Sequence, residues 1–132
     1  MNESDFASQV EDLLTLFGWR WTHFRPAWSS KGYRTPIRGY KGFPDYVATH
    51  PVARRLLFIE LKSDNGKPTP EQDEWLSELQ ECVKWGVAVD SRGKATKQPM
   101  TPSHEVYIWR PTDIDSLTKI LQVHTGDSCE EL

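Results

Sequence analysis

A glutamate and a lysine two positions apart end the most β-prone segment of the chain, which runs from Leu56 to Lys62. Successive side chains of a strand point to opposite faces, so Glu60 and Lys62 are expected side by side on one face. Such a pair could take part in hydrolysis, because a carboxylate can bind a cation and an ammonium can stabilise developing negative charge. A single Glu-x-Lys pair is more often a solvent-exposed ion pair of little energetic consequence. The catalytic interpretation therefore requires a second acid nearby.

Asp45 can supply that acid, because it follows Gly42, Phe43 and Pro44 at the start of the preceding predicted strand. Pairing of the two strands as a hairpin would bring its carboxylate close to Glu60. Two carboxylates about 4 Å apart would repel by roughly 4 kcal/mol at an effective dielectric of about 20, and a divalent cation between them would relieve this repulsion. Mg²⁺ prefers oxygen ligands and activates water, so the pattern predicts metal-assisted phosphodiester hydrolysis. The alternative is that Asp45 only caps a turn.

The complete pattern resembles the PD-(D/E)xK nuclease motif. Pro44-Asp45 is followed, after fourteen residues, by Glu60-Leu61-Lys62. The surrounding segments are similar to the VRR-Nuc branch of that superfamily, from about residue 3 to about residue 121; they are Gly42–Asp45, Phe58–Ser63, Thr69–Gln72 with Trp75-Leu76, and Tyr107–Pro111. The three-part motif is specific, whereas Glu-x-Lys alone is weak.

This resemblance implies a restriction-endonuclease-like fold and a nuclease that depends on Mg²⁺ or Mn²⁺. The site that it implies consists of two carboxylate ligands, a backbone carbonyl ligand and a catalytic lysine, namely Asp45, Glu60, Leu61 and Lys62. Gln72 matches the glutamine that this family carries on a helix. Gln72 also follows Thr69 at capping-box spacing, and its helical spacing from inward-facing leucines points it towards the sheet. A structural and a catalytic role for Gln72 are equally open, and one residue could fill both.

Nucleases of this superfamily often supply a further glutamate from the first helix, where this chain offers Glu3 and Glu11. At about 100° per residue, Glu3 lies within roughly 40° of the centre of the apolar stripe, whereas Glu11 lies roughly 115° away. We therefore predict that Glu3 faces the sheet and completes the site, while Glu11 is solvated. The choice stays open because Glu3 lies near a terminus that can fray.

Charge is segregated along the sequence although the net charge is only −3. No Asp or Glu occurs between Leu13 and Pro44, and six cations give that segment +6, which leaves −9 on the rest as the difference. The predicted DNA contacts are His23, Arg25, Lys31, Arg34, Arg38 and Lys41, with Trp28, Tyr33 and Tyr40 available to stack on unpaired bases. The alternative is a basic loop that serves solubility, and for His23 a polar position beside the sheet is slightly preferred.

Hydrophobic periodicity and turn residues predict the elements that would position these groups. The predicted elements are a helix capped by Asn2 or Ser4 and stopped at Gly18, strands at Trp19–Phe24, Tyr46–Thr49 and Leu56–Lys62, a helix from Thr69 to Gly86, strands at Val87–Val89 and Glu105–Trp109, and a helix capped by Thr112. The segment Arg25–Gly42 is predicted to be a long loop. The order α-β-β-β-α-β-β-α predicts an α/β fold, a mixed β-sheet flanked by helices in a sandwich, as one domain over residues 1–132.

Several other classes of protein are disfavoured by the sequence. Cys82 and Cys129 lie far apart and lack the spacing of a zinc site. The first residues do not resemble a secretion signal, and the longest apolar run is far short of the ~20 residues needed to cross a bilayer. We therefore expect a cytoplasmic protein, of a bacterium or a phage-infected cell, that uses no nucleotide cofactor.

The resemblance implies that the partner is DNA. It further implies structure-selective cleavage of branched or four-way-junction DNA by a homodimer that places two sites on two strands. The alternatives are a restriction-type or exonucleolytic nuclease with the same centre, and a DNA-binding module that has lost catalysis. The intact set of Asp45, Glu60 and Lys62 argues against the last of these. The role of the insertion between residues 90 and 104 stays open.

Overall fold

A computed structural model of the chain describes residues 2–24, 38–84, 91–94 and 102–123, and the backbone alone of residues 27–29 and 32–34. The helices are α1 (Glu3–Leu16), α2 (Pro70–Glu81) and α3 (Ile114–Leu121), and a 3-10 turn spans Pro111–Asp113. The strands are β1 (Arg20–His23), β2 (Ala27–Ser29), β3 (Gly32–Arg34), β4 (Tyr46–His50), β5 (Arg55–Leu61) and β6 (Glu105–Trp109). Within the described residues, no helix has the length and apolar character needed to span a membrane.

Four strands form one mixed sheet in the order β1-β4-β5-β6. β4 pairs antiparallel with both β1 and β5, whereas β6 is parallel to β5. A parallel neighbour requires a crossover connection, and α2 lies in the segment that joins β5 to β6. The predicted α/β class with a mixed sheet is confirmed, and β5 is an interior strand with a partner on each side.

Both faces of β5 are covered. On one face its apolar side chains pack in the core with residues of α1 and α3, a set that includes Leu57, Ile59, Leu61, Phe6, Val10, Leu14, Leu117 and Leu121. On the other face Glu60 contacts Gln72 of α2. Only 1% of Glu60 is exposed, so the carboxylate that the alternation predicts on a polar face is buried beneath a helix.

The segment between β1 and β4 departs from the predicted loop. It contains the two short strands β2 and β3, which pair antiparallel with Trp28 opposite Tyr33. The abundance of Pro, Gly and Ser around these strands obscured two three-residue stretches that are long enough to pair. This segment therefore includes a pair of antiparallel strands, and the prediction of a long loop from Arg25 to Gly42 is wrong at residues 27–29 and 32–34.

The helix ends also refine the sequence predictions. Asn2 does cap α1, because its Oδ1 accepts a hydrogen bond from the Asp5 N–H at 2.8 Å. α2 ends at Glu81, five residues before Gly86, and the Lys84 N–H donates to the Ser103 hydroxyl at 2.9 Å. Thr112 is not a cap: it lies inside the 3-10 turn, where the carboxylate that accepts the Arg110 N–H belongs to Asp113. The strand predicted at Val87–Val89 lies outside the described residues.

Candidate active site

The antiparallel ladder between β4 and β5 stops at a proline. Tyr46 pairs with Ile59, so extension of this register places Pro44 opposite Leu61. Proline has no N–H and cannot donate to the strand opposite it. The Leu61 N–H instead donates to Asp45 Oδ2 at 3.1 Å, while the Lys62 N–H turns the other way and donates to the Trp109 carbonyl of β6.

The backbone carbonyl of Leu61 is therefore directed towards Asp45. The N–H and C=O of one strand residue point to the same side, and the Leu61 N–H bonds the Asp45 carboxylate. On that side the neighbouring residue of the extended register is Pro44, which offers no donor. The ladder break thus leaves the Asp45 carboxylate and the Leu61 carbonyl on the same side of β5.

Glu60 is an ionisable group that is almost completely buried. Its Oε2 accepts a hydrogen bond from Gln72 Nε2 at 3.0 Å and lies 3.5 Å from Lys62 Nζ. Its Oε1 is buried and has no hydrogen-bond partner among the described residues. Burial, and then the charge of Asp45, raise the pKa of Glu60 to about 8, although Lys62 acts in the opposite direction.

Gln72 fills the structural role that the sequence left open and also contacts Glu60, whereas its catalytic role stays a prediction. Its backbone N–H donates to Thr69 Oγ1 at 3.2 Å and its Oε1 accepts the Thr69 N–H at 2.9 Å, which completes a capping box at the start of α2. Because the amide oxygen is used by the cap, the amide nitrogen is left to donate to Glu60. The same side chain therefore begins a helix and orients a carboxylate.

A cleft of about 370 Å³ opens between α1 and the ends of β1, β4 and β5. It is lined by residues of the α1 flank and of the strand ends, among them Glu3, Ala7, Glu11, His23, Asp45 and Leu61. Glu11 Oε2 accepts a hydrogen bond from the Tyr46 hydroxyl and lies 3.1 Å from His23 Nδ1. The His23 ring stacks on Tyr46 at a centroid distance of 4.0 Å.

The helical-wheel prediction for α1 is therefore wrong about Glu11, which is held against His23 and Tyr46 instead of being solvated. Glu3 also lines the cleft, but it is exposed at the first turn of α1. The helical-wheel argument assumes that the site faces the centre of the apolar stripe of α1. The cleft lies instead along the flank of the helix, where residues 3, 7 and 11 lie one turn apart. The catalytic role predicted for Glu3 stays a prediction.

No sequence motif predicts a role for three residues near the site. Tyr46 was identified only as the start of a strand, and Phe43 only as part of the motif; Phe43 packs edge-on against Phe58 and against Trp75 of α2. Arg110 Nη1 donates to the backbone carbonyls of Ser63 at 2.7 Å and Gly66 at 2.5 Å. It thereby fixes the turn that follows Lys62, and only its place in the Tyr107–Pro111 segment could have drawn attention to it.

The predicted DNA contacts are only partly within the described residues. Arg38 and Lys41 are exposed, and Lys41 Nζ lies 3.6 Å from Glu71. Arg25 and Lys31 lie outside the described residues, and of Arg34 only the backbone is described, within β3. Arg38 and Lys41 are therefore described and lie at the surface, and their binding to DNA stays a prediction.

The acidic centre is a pair and not a larger cluster. Over the described parts of the chain, no group of three or more His, Cys, Asp and Glu side chains is arranged to hold a metal ion. The groups that are brought together are the carboxylates of Asp45 and Glu60, the Leu61 backbone, the Lys62 ammonium and the Gln72 amide. All candidate ligands in this set are oxygen atoms.

Residues 32–91 match the family model of the VRR-NUC domain. That stretch contains Asp45, Glu60, Leu61, Lys62 and Gln72, and it ends before β6 and α3. Searches of curated proteins and of solved structures returned no match. Residues 32–91, which hold the candidate site, are therefore similar to the VRR-NUC domain.

Proposed function

We propose that the chain is a divalent-metal-dependent endonuclease that hydrolyses phosphodiester bonds of DNA, with Asp45, Glu60 and Lys62 at its chemical centre. The observation that carries this proposal is Glu60 Oε1, a buried carboxylate oxygen without a hydrogen-bond partner among the described residues. A buried oxygen without a donor is costly, and a second carboxylate beside it adds repulsion. A cation at this position would relieve both costs.

The residues present fit Mg²⁺ or Mn²⁺. Asp45, Glu60 and the Leu61 carbonyl would offer two carboxylates and one neutral oxygen, which are the hard ligands that these ions prefer. Mg²⁺ usually keeps several of its waters and is bound through one or two carboxylates plus substrate phosphate. A set with only two carboxylates is therefore sufficient, and when bound the ion supplies a Lewis acid at the scissile phosphate.

Each neighbouring side chain has a defined task in this proposal. Gln72 holds Glu60 Oε2, which leaves Oε1 to face the ion. Lys62, whose side chain is 14% exposed, carries its positive charge to the developing charge on the phosphoryl oxygens. Arg110 keeps the turn after Lys62 in place. Water attacks phosphorus, and the bond to the 3′ oxygen breaks.

The finer substrate assignment rests on resemblance. We propose branched or four-way-junction DNA as the preferred substrate and a homodimer as the active form, since two active sites can then act on two strands. The basic segment supports nucleic-acid binding, because its cations would release counterions from phosphates. A restriction-type or exonucleolytic enzyme would use the same centre and differ only in substrate.

The test is cleavage of end-labelled plain duplex, flap and four-way-junction DNA in Mg²⁺, with and without EDTA. The wild type is compared with Lys62→Ala and with Lys67→Ala, an exposed lysine of the following loop. We expect chelator-sensitive cleavage, fastest on the junction, a loss of roughly 100-fold or more in Lys62→Ala, and no loss in Lys67→Ala. Cleavage that survives EDTA, or near-normal turnover of Lys62→Ala, would contradict the proposal. Binding without cleavage would support a catalytically inactive module.

A further inference from the structure

A cavity of about 560 Å³ lies on the side of α2 that faces the segment before the catalytic motif. It is lined by two aromatic residues, one lysine and three glutamates, namely Tyr40, Trp75, Lys41, Glu71, Glu74 and Glu78. We call it the Tyr40–Trp75 cavity. Its volume is within the range of sites that hold small organic ligands.

The two aromatic side chains differ in how they are held. The Trp75 indole N–H donates to the Tyr40 carbonyl at 3.2 Å, and the ring packs edge-on against Phe43 at a centroid distance of 5.1 Å. The Tyr40 side chain, in contrast, is 90% exposed. A large aromatic residue left in solvent beside a fixed indole provides a surface on which a planar ligand can stack.

The cavity is joined rigidly to the candidate active site. Gly42 has a φ of +97°, and a Cβ added to it would lie 2.7 Å from the Glu71 carbonyl carbon and 2.9 Å from the Gln72 nitrogen. The chain before the motif is therefore pressed against the first turn of α2, the turn whose Gln72 contacts Glu60. From Lys41 to Asp45 the chain advances four residues, which span at most about 14 Å. A ligand in the cavity and a phosphate at the site can thus belong to the same nucleic-acid strand.

We propose that the Tyr40–Trp75 cavity receives an unpaired nucleobase next to the cleaved bond, and that it prefers guanine. This inference rests on the proposed function and specifies the part of the substrate that the enzyme reads. The aromatic side chains stack on the base, and such stacking is available only to a base that has left the duplex. A branch point supplies bases of this kind, whereas plain duplex does not.

The glutamates give the cavity its preference among the bases. A carboxylate only accepts hydrogen bonds, through two oxygens side by side. Guanine presents N1–H and N2–H on one edge, cytosine and adenine present an amino group, and thymine presents a single imino N–H between two carbonyls. Lys41, 3.6 Å from Glu71, offsets part of the acidic charge and can meet the adjoining phosphate. The same lysine makes the cavity less suitable for a cationic peptide.

The test measures binding in EDTA, so that no cleavage occurs, of fluorescein-labelled duplexes carrying one bulged base. The bulged base is guanine, thymine, or 2-aminopurine, a fluorescent base that keeps the 2-amino group of guanine. We expect the wild type to bind the guanine bulge about 10-fold more tightly than the thymine bulge and to quench 2-aminopurine by stacking. Tyr40→Ala should abolish the quenching and weaken guanine binding about 10-fold. The double variant Glu74→Ala, Glu78→Ala should remove the preference between bases.

Two exposed acids of α2 that do not line the cavity, Asp73 and Glu81, provide the matched control: Asp73→Ala with Glu81→Ala should change neither quenching nor preference. The inference would be overturned if Tyr40→Ala quenched the 2-aminopurine fluorescence as strongly as the wild type does. The inference would also be overturned if the double variant Glu74→Ala, Glu78→Ala bound all bulged duplexes more tightly by the same factor, because the two glutamates would then only repel DNA. Mg²⁺-dependent cleavage by the wild type is measured in parallel: if it is present while the bulged base makes no difference, only this inference fails, and if it is absent, the proposed function fails.

Discussion

Glu60 makes the stability of the protein depend on pH in a direction opposite to that of an ordinary surface carboxylate. Its pKa is raised from 4.5 to about 8, mainly by burial and by the charge of Asp45. A raised pKa means that the folded state binds the proton more tightly than the unfolded state does. The resulting stability is fully present below pH 4.5 and is lost as pH rises to about 8.

This effect is a large fraction of the stability of a domain. A pKa raised from 4.5 to about 8 corresponds to on the order of 5 kcal/mol, at about 1.4 kcal/mol for each pH unit. The free energy of unfolding of a domain of this size is only about 5–15 kcal/mol. Glu60→Gln keeps the shape of the side chain but cannot ionise. We therefore expect the metal-free variant to match the wild type near pH 5 and to be more stable by several kcal/mol near pH 8.5.

The assay is urea unfolding in EDTA at steps between pH 5 and pH 8.5, with Glu105→Gln as the control. Burial of Glu105 would raise its pKa, but hydrogen bonds from Arg55 and Tyr107 outweigh burial and hold that pKa below its ordinary value. The stability that Glu105 contributes is present above its unfolded pKa and is lost only in acid, so Glu105→Gln should be destabilising throughout this range. A stability difference between Glu60→Gln and wild type that does not change with pH would refute the reasoning.

Adding Mg²⁺ extends the same experiment. A cation can bind Glu60 only in its ionised form, so wild type should gain stability from Mg²⁺ at pH 8 and much less at pH 5. Glu60→Gln should gain little at either pH. Equal stabilisation of the two proteins by Mg²⁺ at pH 8 would show that the ion binds elsewhere.

Three further predictions concern the groups around this centre. Gln72→Glu preserves the capping box but replaces the donor to Glu60 with a carboxylate. The rate of cleavage should therefore fall by roughly 100-fold while the helical circular dichroism signal is kept. Full activity of this variant would show that Gln72 has no part in catalysis. Glu11→Gln should lower turnover at least 10-fold and more than Glu3→Gln, because Glu11 holds His23 and Tyr46 at the cleft. The reverse ranking would instead favour Glu3 as the acid of the first helix. Arg34→Ala with Arg38→Ala should lower the slope of log affinity against log salt by about 2, and an unchanged slope would mean that these residues do not contact phosphates.

Strand β5 shows which features of the site can be predicted from the sequence and which cannot. Its alternation predicted that Glu60 and Lys62 share a face, and the preceding turn residues predicted that Asp45 lies nearby. The burial of Glu60 could not be predicted, because an alternating strand has the same pattern whether its polar face meets water or a helix. That burial depends on α2 crossing over to the parallel strand β6, which is a tertiary event. The same limit explains Glu11, since a helical wheel gives angles about an axis but not the position of a cleft.

The chemical centre and the stability of the fold are connected through Glu60. Its neighbours are fixed from separate parts of the chain: Lys62 by the end of β5, Gln72 by the cap of α2, and Asp45 by the ladder that Pro44 interrupts. None of these contacts satisfies Oε1, so the metal-free fold retains a free-energy cost at its centre. A bound cation would remove that cost, and the free energy released would appear both as metal affinity and as protein stability. In the metal-free protein near pH 8.5, a variant that relieves the same cost, such as Glu60→Gln, should therefore be more stable than the wild type, and it should also lose catalysis.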